Sequence, residues 1–206
     1  VKKLQKQIYE ASLARNKHLI HNLQKELTNS IEAKLLATRK ITQDNIEEIS
    51  AGVDGIKSLK PNQRITLAKS LVLDESSQPI RRIYIPKPGN DKMRPLGIPT
   101  IKDRCKQTLA LLALEPEWEA IFESNSYGFR PGRNTHDALH ALRAGLKNNP
   151  KFVYDADIES CFPKILHEKV IEKLETYPDM KNQITAWLKS GVVEPGEQII
   201  NPTFKG

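Results

Sequence analysis

The segment Arg-Arg-Ile-Tyr-Ile at residues 81–85 alternates charged and apolar side chains, and Arg-Pro-Leu-Gly-Ile-Pro at residues 94–99 follows after a loop rich in proline and glycine. Two such segments around a loop of turn-forming residues predict a β-hairpin with a basic tip. Because Pro95 and Pro99 cannot donate a backbone hydrogen bond, the second strand is expected to lie at an edge of its sheet.

Helical patterns precede and follow this hairpin. Apolar residues recur at helical spacing between Leu4 and Leu35, which predicts one or two amphipathic helices. Thr100-Ile101-Lys102-Asp103 has the pattern of a capping box, so a helix is expected to begin there. Pro116 is expected to open a further helix, because a first turn tolerates proline, and that helix would place Ile121 and Phe122 in the core.

Another helix is expected after residue 134. Thr135 can cap it, and its apolar residues are Leu139, Leu142 and Leu146. The elements predicted so far mix helices with a hairpin.

The segment Phe-Val-Tyr-Asp-Ala-Asp-Ile-Glu-Ser-Cys-Phe at residues 152–162 alternates apolar and acidic residues and predicts a strand with Asp155 and Asp157 on one face. Two neighbouring carboxylates repel each other unless a cation lies between them, and Mg²⁺ suits such oxygen ligands. The alternative is that both aspartates are exposed strand residues paired with nearby lysines.

Charge is distributed unevenly along the chain. The formal net charge is +7, and residues 81–106 hold eight basic residues against two acidic ones. Such a concentrated surplus is typical of a phosphate-binding surface, although an ordinary solvated face would have the same composition.

Composition restricts the class of protein. With 206 residues and 38% hydrophobic residues, the chain can build a core without disulfides. Cys105 and Cys161 are too isolated for a disulfide framework or a zinc site and fit a reducing cytosol. No apolar run approaches the roughly 20 residues that span a bilayer, and no signal-peptide pattern opens the chain, so no membrane partner is expected.

Four segments, taken in order, carry a resemblance to a known family. They are Arg-Arg-Ile-Tyr-Ile-Pro-Lys-Pro-Gly (81–89), Lys-Met-Arg-Pro-Leu-Gly-Ile-Pro-Thr-Ile-Lys-Asp-Arg (92–104), Ser-Tyr-Gly-Phe-Arg-Pro-Gly-Arg (126–133) and Tyr-Asp-Ala-Asp-Ile-Glu-Ser-Cys-Phe (154–162). Together they resemble the fingers and palm of a group II intron-encoded reverse transcriptase, also called a maturase, especially of the cyanobacterial type.

The resemblance implies an α+β fold and its domain organisation. Residues 1–50 would form a helical N-terminal extension, residues 51–150 the fingers of a right-hand polymerase, and residues 151–206 the start of the palm. Because the family's Tyr-Ala-Asp-Asp strand does not occur in the sequence, we expect the palm to be truncated.

The resemblance also implies site residues. Asp157 matches the family's first metal-binding aspartate, and the Ile158 carbonyl would help it to hold Mg²⁺. Lys87 and Arg94 match the pair that binds an incoming deoxynucleoside triphosphate, and Phe162 matches the aromatic residue that excludes a ribose 2′-hydroxyl. The basic residues expected to bind RNA are Arg81, Arg82, Lys92, Arg104, Arg130 and Arg133. In the loop that holds the last two, Tyr127 or Phe129 is expected to pack rather than to stack on bases.

The implied activity is that of an RNA-directed DNA polymerase in the bacterial cytoplasm. The partners would be an RNA template, a DNA primer and group II intron RNA, whose splicing and mobility the protein would assist. Two alternatives remain open: an RNA-binding splicing cofactor without polymerase activity, and a basic protein-interaction module.

Overall fold

The computed structural model describes residues 1–44, 50–89, 91–147, 151–197 and 200–203. The N-terminal segment forms the helices α1 (Lys2–Leu13), α2 (Lys17–Asn29) and α3 (Ile31–Arg39), and a π-helical turn (Lys40–Asp44) extends the third. The predicted amphipathic segment is therefore broken twice. The breaks coincide with Asn16 and Ser30, whose side chains accept hydrogen bonds from the first turns of α2 and α3.

The middle of the chain contains the predicted hairpin. Helix α4 (Pro61–Ser70) precedes strands β1 (Ile80–Pro86) and β2 (Met93–Ile98), which pair in antiparallel orientation. Two short strands, β3 (Val192–Val193) and β4 (Ile200–Asn201), complete a sheet of order β2-β1-β3-β4, in which β3 runs parallel to β1. The expected edge position of the second hairpin strand is confirmed.

Helix α5 (Ile101–Glu119) begins at the predicted capping residue, because the Thr100 side chain accepts a hydrogen bond from the Asp103 amide. It continues through Pro116, so the prediction of a new helix there is wrong. Proline has no amide hydrogen, which leaves the carbonyl of Leu112 without its helical donor. The side chain of Gln5 on α1 supplies that donor at 3.0 Å.

The remaining helices are α6 (Thr135–Leu146), α7 (Cys161–Lys164), α8 (His167–Leu174) and α9 (Pro178–Leu188). The cap of α6 is Asn134 rather than Thr135. The expectation that Ile121 and Phe122 lie in the core is wrong, since both are exposed, as are the apolar residues of α6, namely Leu139, Leu142 and Leu146.

The core joins the two ends of the chain. Helices α1, α2 and α3 pack around α5, with Ile8, Leu27 and Leu109 fully buried between them. Tyr177 and Met180, from the start of α9, are buried in the same cluster, and the Tyr177 hydroxyl lies 2.9 Å from that of Thr28. Residues 45–49 and 148–150, beside two predicted domain boundaries, lie outside the described residues, so those boundaries stay a prediction.

This mixture of nine helices and a four-stranded sheet among the described residues confirms the α+β class. In the described part of the chain, no helix is long and apolar enough to cross a membrane.

Candidate functional site

The hairpin places Lys87 and Arg94 on one face. Arg94 pairs with Ile85, and the Lys87 amide donates to the Lys92 carbonyl at 3.0 Å, which extends the pairing one step beyond β1. Side chains alternate between the two faces of a strand, so Ile85 and Lys87 share a face with their cross-strand partners. Lys87 and Arg94 are therefore diagonal neighbours at the basic end of the hairpin, where Arg94 is exposed and Lys87 half-buried.

A buried polar network holds the segment that leads into β1. The ammonium group of Lys106 is fully buried; it forms an ion pair with Asp74 and donates to the carbonyl of Ser76 at 3.1 Å. Burial alone would raise the pKa of the Asp74 carboxyl, but the hydrogen bonds from Lys106 and Ser76 outweigh it and hold this pKa well below its usual range. Lys106 is thus a structural cation and not part of a phosphate-binding surface.

Asp103 fixes the last residues before the hairpin. Its carboxylate accepts hydrogen bonds from the Thr100 hydroxyl at 2.7 Å and from the Gln78 amide at 3.2 Å. Two residues after Gln78, the Ile80 amide donates a hydrogen bond to the Gly191 carbonyl at 2.9 Å. Gly191 has a φ of +76°, and a Cβ there would lie 2.5 Å from Cγ2 of Ile200 and 2.9 Å from the carbonyl oxygen of Asn201, so this position requires glycine. The base of the hairpin is therefore held from both sides.

Two of the predicted RNA-binding arginines hold the segment that leads into α4. Arg81 donates through Nε to the Ala51 carbonyl at 2.8 Å, and Arg104 donates through Nη2 to the Ser50 carbonyl at 3.0 Å. Both arginines are half-buried, and their contact with RNA stays a prediction.

Arg82 and Tyr84 share an acidic partner. Arg82 Nε lies 3.7 Å from a Glu194 carboxylate oxygen, and the Tyr84 hydroxyl donates to the other oxygen at 2.9 Å. That hydrogen bond raises the pKa of the Tyr84 hydroxyl. These three side chains line a cavity of about 860 Å³ along β1. Lys92, at the hairpin tip, is exposed, and its role also stays a prediction.

Arg130 and Arg133 have different environments. Arg130 is buried; it donates through Nε to Glu119 at 3.0 Å and through Nη1 to the carbonyls of Glu123 and Ser126 at 2.7 and 2.8 Å. Its guanidinium group has little surface left for a phosphate, so the geometry favours a structural role over the predicted RNA contact. Arg133 is exposed and lies 5.7 Å from the centre of the Tyr127 ring.

The acidic segment 152–158 belongs to none of the described strands, so the predicted strand is wrong for this structure. A strand requires a neighbour for its backbone hydrogen bonds, and the four described strands all pair elsewhere. Asp155, Asp157 and Ile158 are exposed, and neither aspartate forms an ion pair with a described lysine. Phe162, on the short helix α7, is also exposed.

The described residues contain no group of three His, Cys, Asp or Glu side chains that could hold a metal ion. Asp157 and Ile158 supply a carboxylate and a carbonyl, which are the hard oxygen donors that Mg²⁺ takes. The chemical type of these two donors therefore fits Mg²⁺.

Two family profiles match the chain. A profile described as the N-terminal domain of reverse transcriptase matches residues 1–71, and one described as reverse transcriptase (RNA-dependent DNA polymerase) matches residues 85–206. The chain belongs to the reverse transcriptase family. Its mixed fold is that of the fingers and palm region of these polymerases.

Curated relatives of this chain include intron proteins. Protein YkfC of Escherichia coli K12 is 31% identical over 79% of this chain and 46% of its own length. The group II intron-encoded protein LtrA of Lactococcus lactis subsp. cremoris is 41% identical over 57% of this chain and 20% of its own. Maturase-like protein 1 of Euglena gracilis is 28% identical over 92% of this chain and 43% of its own. The resemblance to group II intron reverse transcriptases is confirmed, and the chain spans less than half the length of these relatives.

Sequence reasoning missed the residues that support the hairpin. The sequence places Lys106 within the basic segment 81–106 and indicates only a capping role for Asp103. One signal was available for Asp103, because a carboxylate in the first turn of a helix can also accept from a neighbouring segment. The burial of Lys106 depends on Gln183 and Ser76, which are distant from it in sequence, and no local pattern indicates it.

Proposed function

We propose that this chain forms the fingers and the first palm segment of an RNA-directed DNA polymerase of a group II intron. The full-length polymerase would extend a DNA primer on an RNA template in the bacterial cytoplasm. It would also bind its intron RNA and assist splicing and mobility. The family match over residues 85–206 supports the polymerase, and the relatives named as group II intron-encoded and maturase-like proteins support the intron role.

The observation that carries the proposal is the shared face of Lys87 and Arg94. The planar guanidinium of Arg94 can bind two phosphate oxygens, and the ammonium of Lys87 adds a point charge beside it. A triphosphate needs such a pair, because its charge is spread over several oxygens. We therefore assign Lys87 and Arg94 to the phosphates of a deoxynucleoside triphosphate.

The palm residues complete the assignment. Asp157 and the Ile158 carbonyl would hold Mg²⁺, which would neutralise charge on the reacting phosphates. Asp155 would support Asp157, and the ring of Phe162 would exclude a ribose 2′-hydroxyl by its bulk.

Basic residues on and beside the hairpin would bind the backbone of template and intron RNA. We retain for this role Arg81, Arg82, Lys92, Arg104 and Arg133. Since phosphate contacts release counterions, binding should weaken with salt, with a slope of about −0.7 per phosphate neutralised on a single strand.

Primer extension by the full-length protein tests the polymerase. Arg94→Ala should raise the KM for deoxynucleoside triphosphates about tenfold or more, because a charge-assisted hydrogen bond to phosphate is worth about 1.5–3 kcal/mol. Lys181→Ala, which removes an exposed lysine on α9, is the charge-matched control and should leave KM unchanged.

Asp157→Ala tests the metal assignment. It should abolish DNA synthesis while RNA binding persists, because this aspartate is assigned to the ion and not to RNA. Undiminished synthesis would refute the assignment. A full-length protein that binds intron RNA and promotes splicing but extends no primer would instead be the splicing cofactor.

A further inference from the structure

The loop between α5 and α6 presents a fully exposed aromatic ring. Phe129 has no side-chain surface covered by the rest of the described chain, and its φ is +58°. This left-handed conformation is unfavourable for a bulky residue, so the surrounding structure must impose it. Backbone strain of this kind is concentrated at binding and active sites.

Arg130 imposes the conformation. Its guanidinium group bonds to Glu119 and to the carbonyls of Glu123 and Ser126, and it lies 5.3 Å from the centre of the Phe122 ring. The hydrogen bond also lowers the pKa of the Glu119 carboxyl, so the pair stays charged. Because Arg130 points into the protein, the preceding side chain of Phe129 is directed to solvent.

Open space surrounds the Phe129 ring. A Cβ added at Gly128 or at Gly132 would meet no atom within 4 Å. Small residues on both sides leave the ring accessible to a flat ligand. Arg133, four residues along, is exposed and is held beside Tyr127.

We infer that Phe129 is a stacking platform for an unpaired base of single-stranded RNA, with Arg133 binding the adjacent phosphate and Arg130 acting as the positioning residue. The choice of RNA as ligand rests on the proposed function. Every base has a π-face, so stacking on an exposed ring is tolerant of sequence, and a cation beside the ring provides the backbone contact. Of the two rings of which one was expected to pack, Tyr127 is half-buried, whereas Phe129 is not covered by the described chain.

The test compares single-stranded and duplex RNA of the same mixed sequence as probes. Phe129→Ala should weaken binding of the single strand about tenfold and leave duplex binding unchanged, because the bases of a duplex are already stacked. Phe129→Trp should retain affinity, and its indole fluorescence should be quenched as RNA saturates the protein. The slope of affinity against salt should not change in either variant, since no charge is removed.

Phe129→Gly controls for folding. Glycine adopts a positive φ without strain, so this variant should melt at the same or a higher temperature than the wild type and still lose affinity for the single strand. Arg133→Ala should reduce the salt slope by about 0.7. Arg130→Lys should weaken binding of the single strand. In that background, Phe129→Ala should cause little further loss of affinity.

Three outcomes would overturn the inference. If the wild type binds single-stranded RNA and Phe129→Ala binds it with the same affinity, the stacking role is refuted and the proposed function is not. Equal losses on single-stranded and duplex probes would refute it too. If Phe129→Ala leaves RNA affinity intact but abolishes self-association of the protein, measured by analytical ultracentrifugation, the ring belongs to a protein contact. Failure of the wild type to bind either RNA would instead refute the proposed function.

Discussion

The continuation of α5 through Pro116 depends on a side chain from another helix, which can be tested by substitution. Gln5→Ala removes the donor that lies 3.0 Å from the Leu112 carbonyl. A buried acceptor left without a partner costs about 1–3 kcal/mol. Gln5 is half-buried, so water can partly replace it, and we expect a loss of about 1–1.5 kcal/mol in the free energy of unfolding. For a chain of this size the corresponding fall in melting temperature is about 2–5 °C.

Urea unfolding followed by circular dichroism measures this loss, with Gln7→Ala, an exposed glutamine on the same helix, as the matched control. Pro116→Ala restores an amide hydrogen for Leu112, so Gln5→Ala should cost about 1 kcal/mol less in that background. An equal cost of Gln5→Ala in both backgrounds would refute the idea that the glutamine replaces the missing helical donor.

Two further predictions concern charged groups around the hairpin. The folded-state pKa of Asp74 is lowered, so its contribution to stability is complete above its ordinary pKa of about 4 and is lost as the pH falls below that value. Asp74→Asn should therefore lower the urea midpoint at pH 7 and flatten its decline towards pH 3; an unchanged decline would count against the Lys106 ion pair. Glu194→Gln removes the acidic partner of Arg82 and should tighten RNA binding about 2- to 5-fold at low salt, as expected for a partly exposed pair worth less than about 1 kcal/mol. Glu172→Gln, which breaks an exposed pair on α8, is the control, and equal gains in both variants would show a general charge effect.

The parts of the fold that local sequence determines were predicted. The hairpin has alternating side chains and a turn-rich loop, and α5 has its capping residues, so neither needs distant contacts to be recognised. The short strand β3 was missed because it exists only through its pairing with β1, far away in sequence. Pro116 misled the prediction because the compensating donor lies more than 100 residues away, on α1.

The site shows the same division. The spacing of Lys87 and Arg94 and the turn between them determine their shared face, and the structure has the register that such a hairpin requires. The sequence does not distinguish Arg130 from Arg133. Arg130 is buried because Glu119 and two carbonyl groups accept its hydrogen bonds, and no local pattern indicates these contacts. The acidic segment has the alternation of a strand, but alternation supplies no pairing partner.

Helix α5 determines where the hairpin points. Along its length it packs against the three N-terminal helices, and in its first turn Asp103 holds the Gln78 amide directly before β1. There is no flexible joint between these contacts, because one continuous helix carries both. Because Asp103 holds one side of the hairpin base and Gly191 holds the other, the hairpin is fixed relative to the N-terminal helices. The direction in which Lys87 and Arg94 project is therefore set by the packing of the helical core and does not depend on the loop at the hairpin tip.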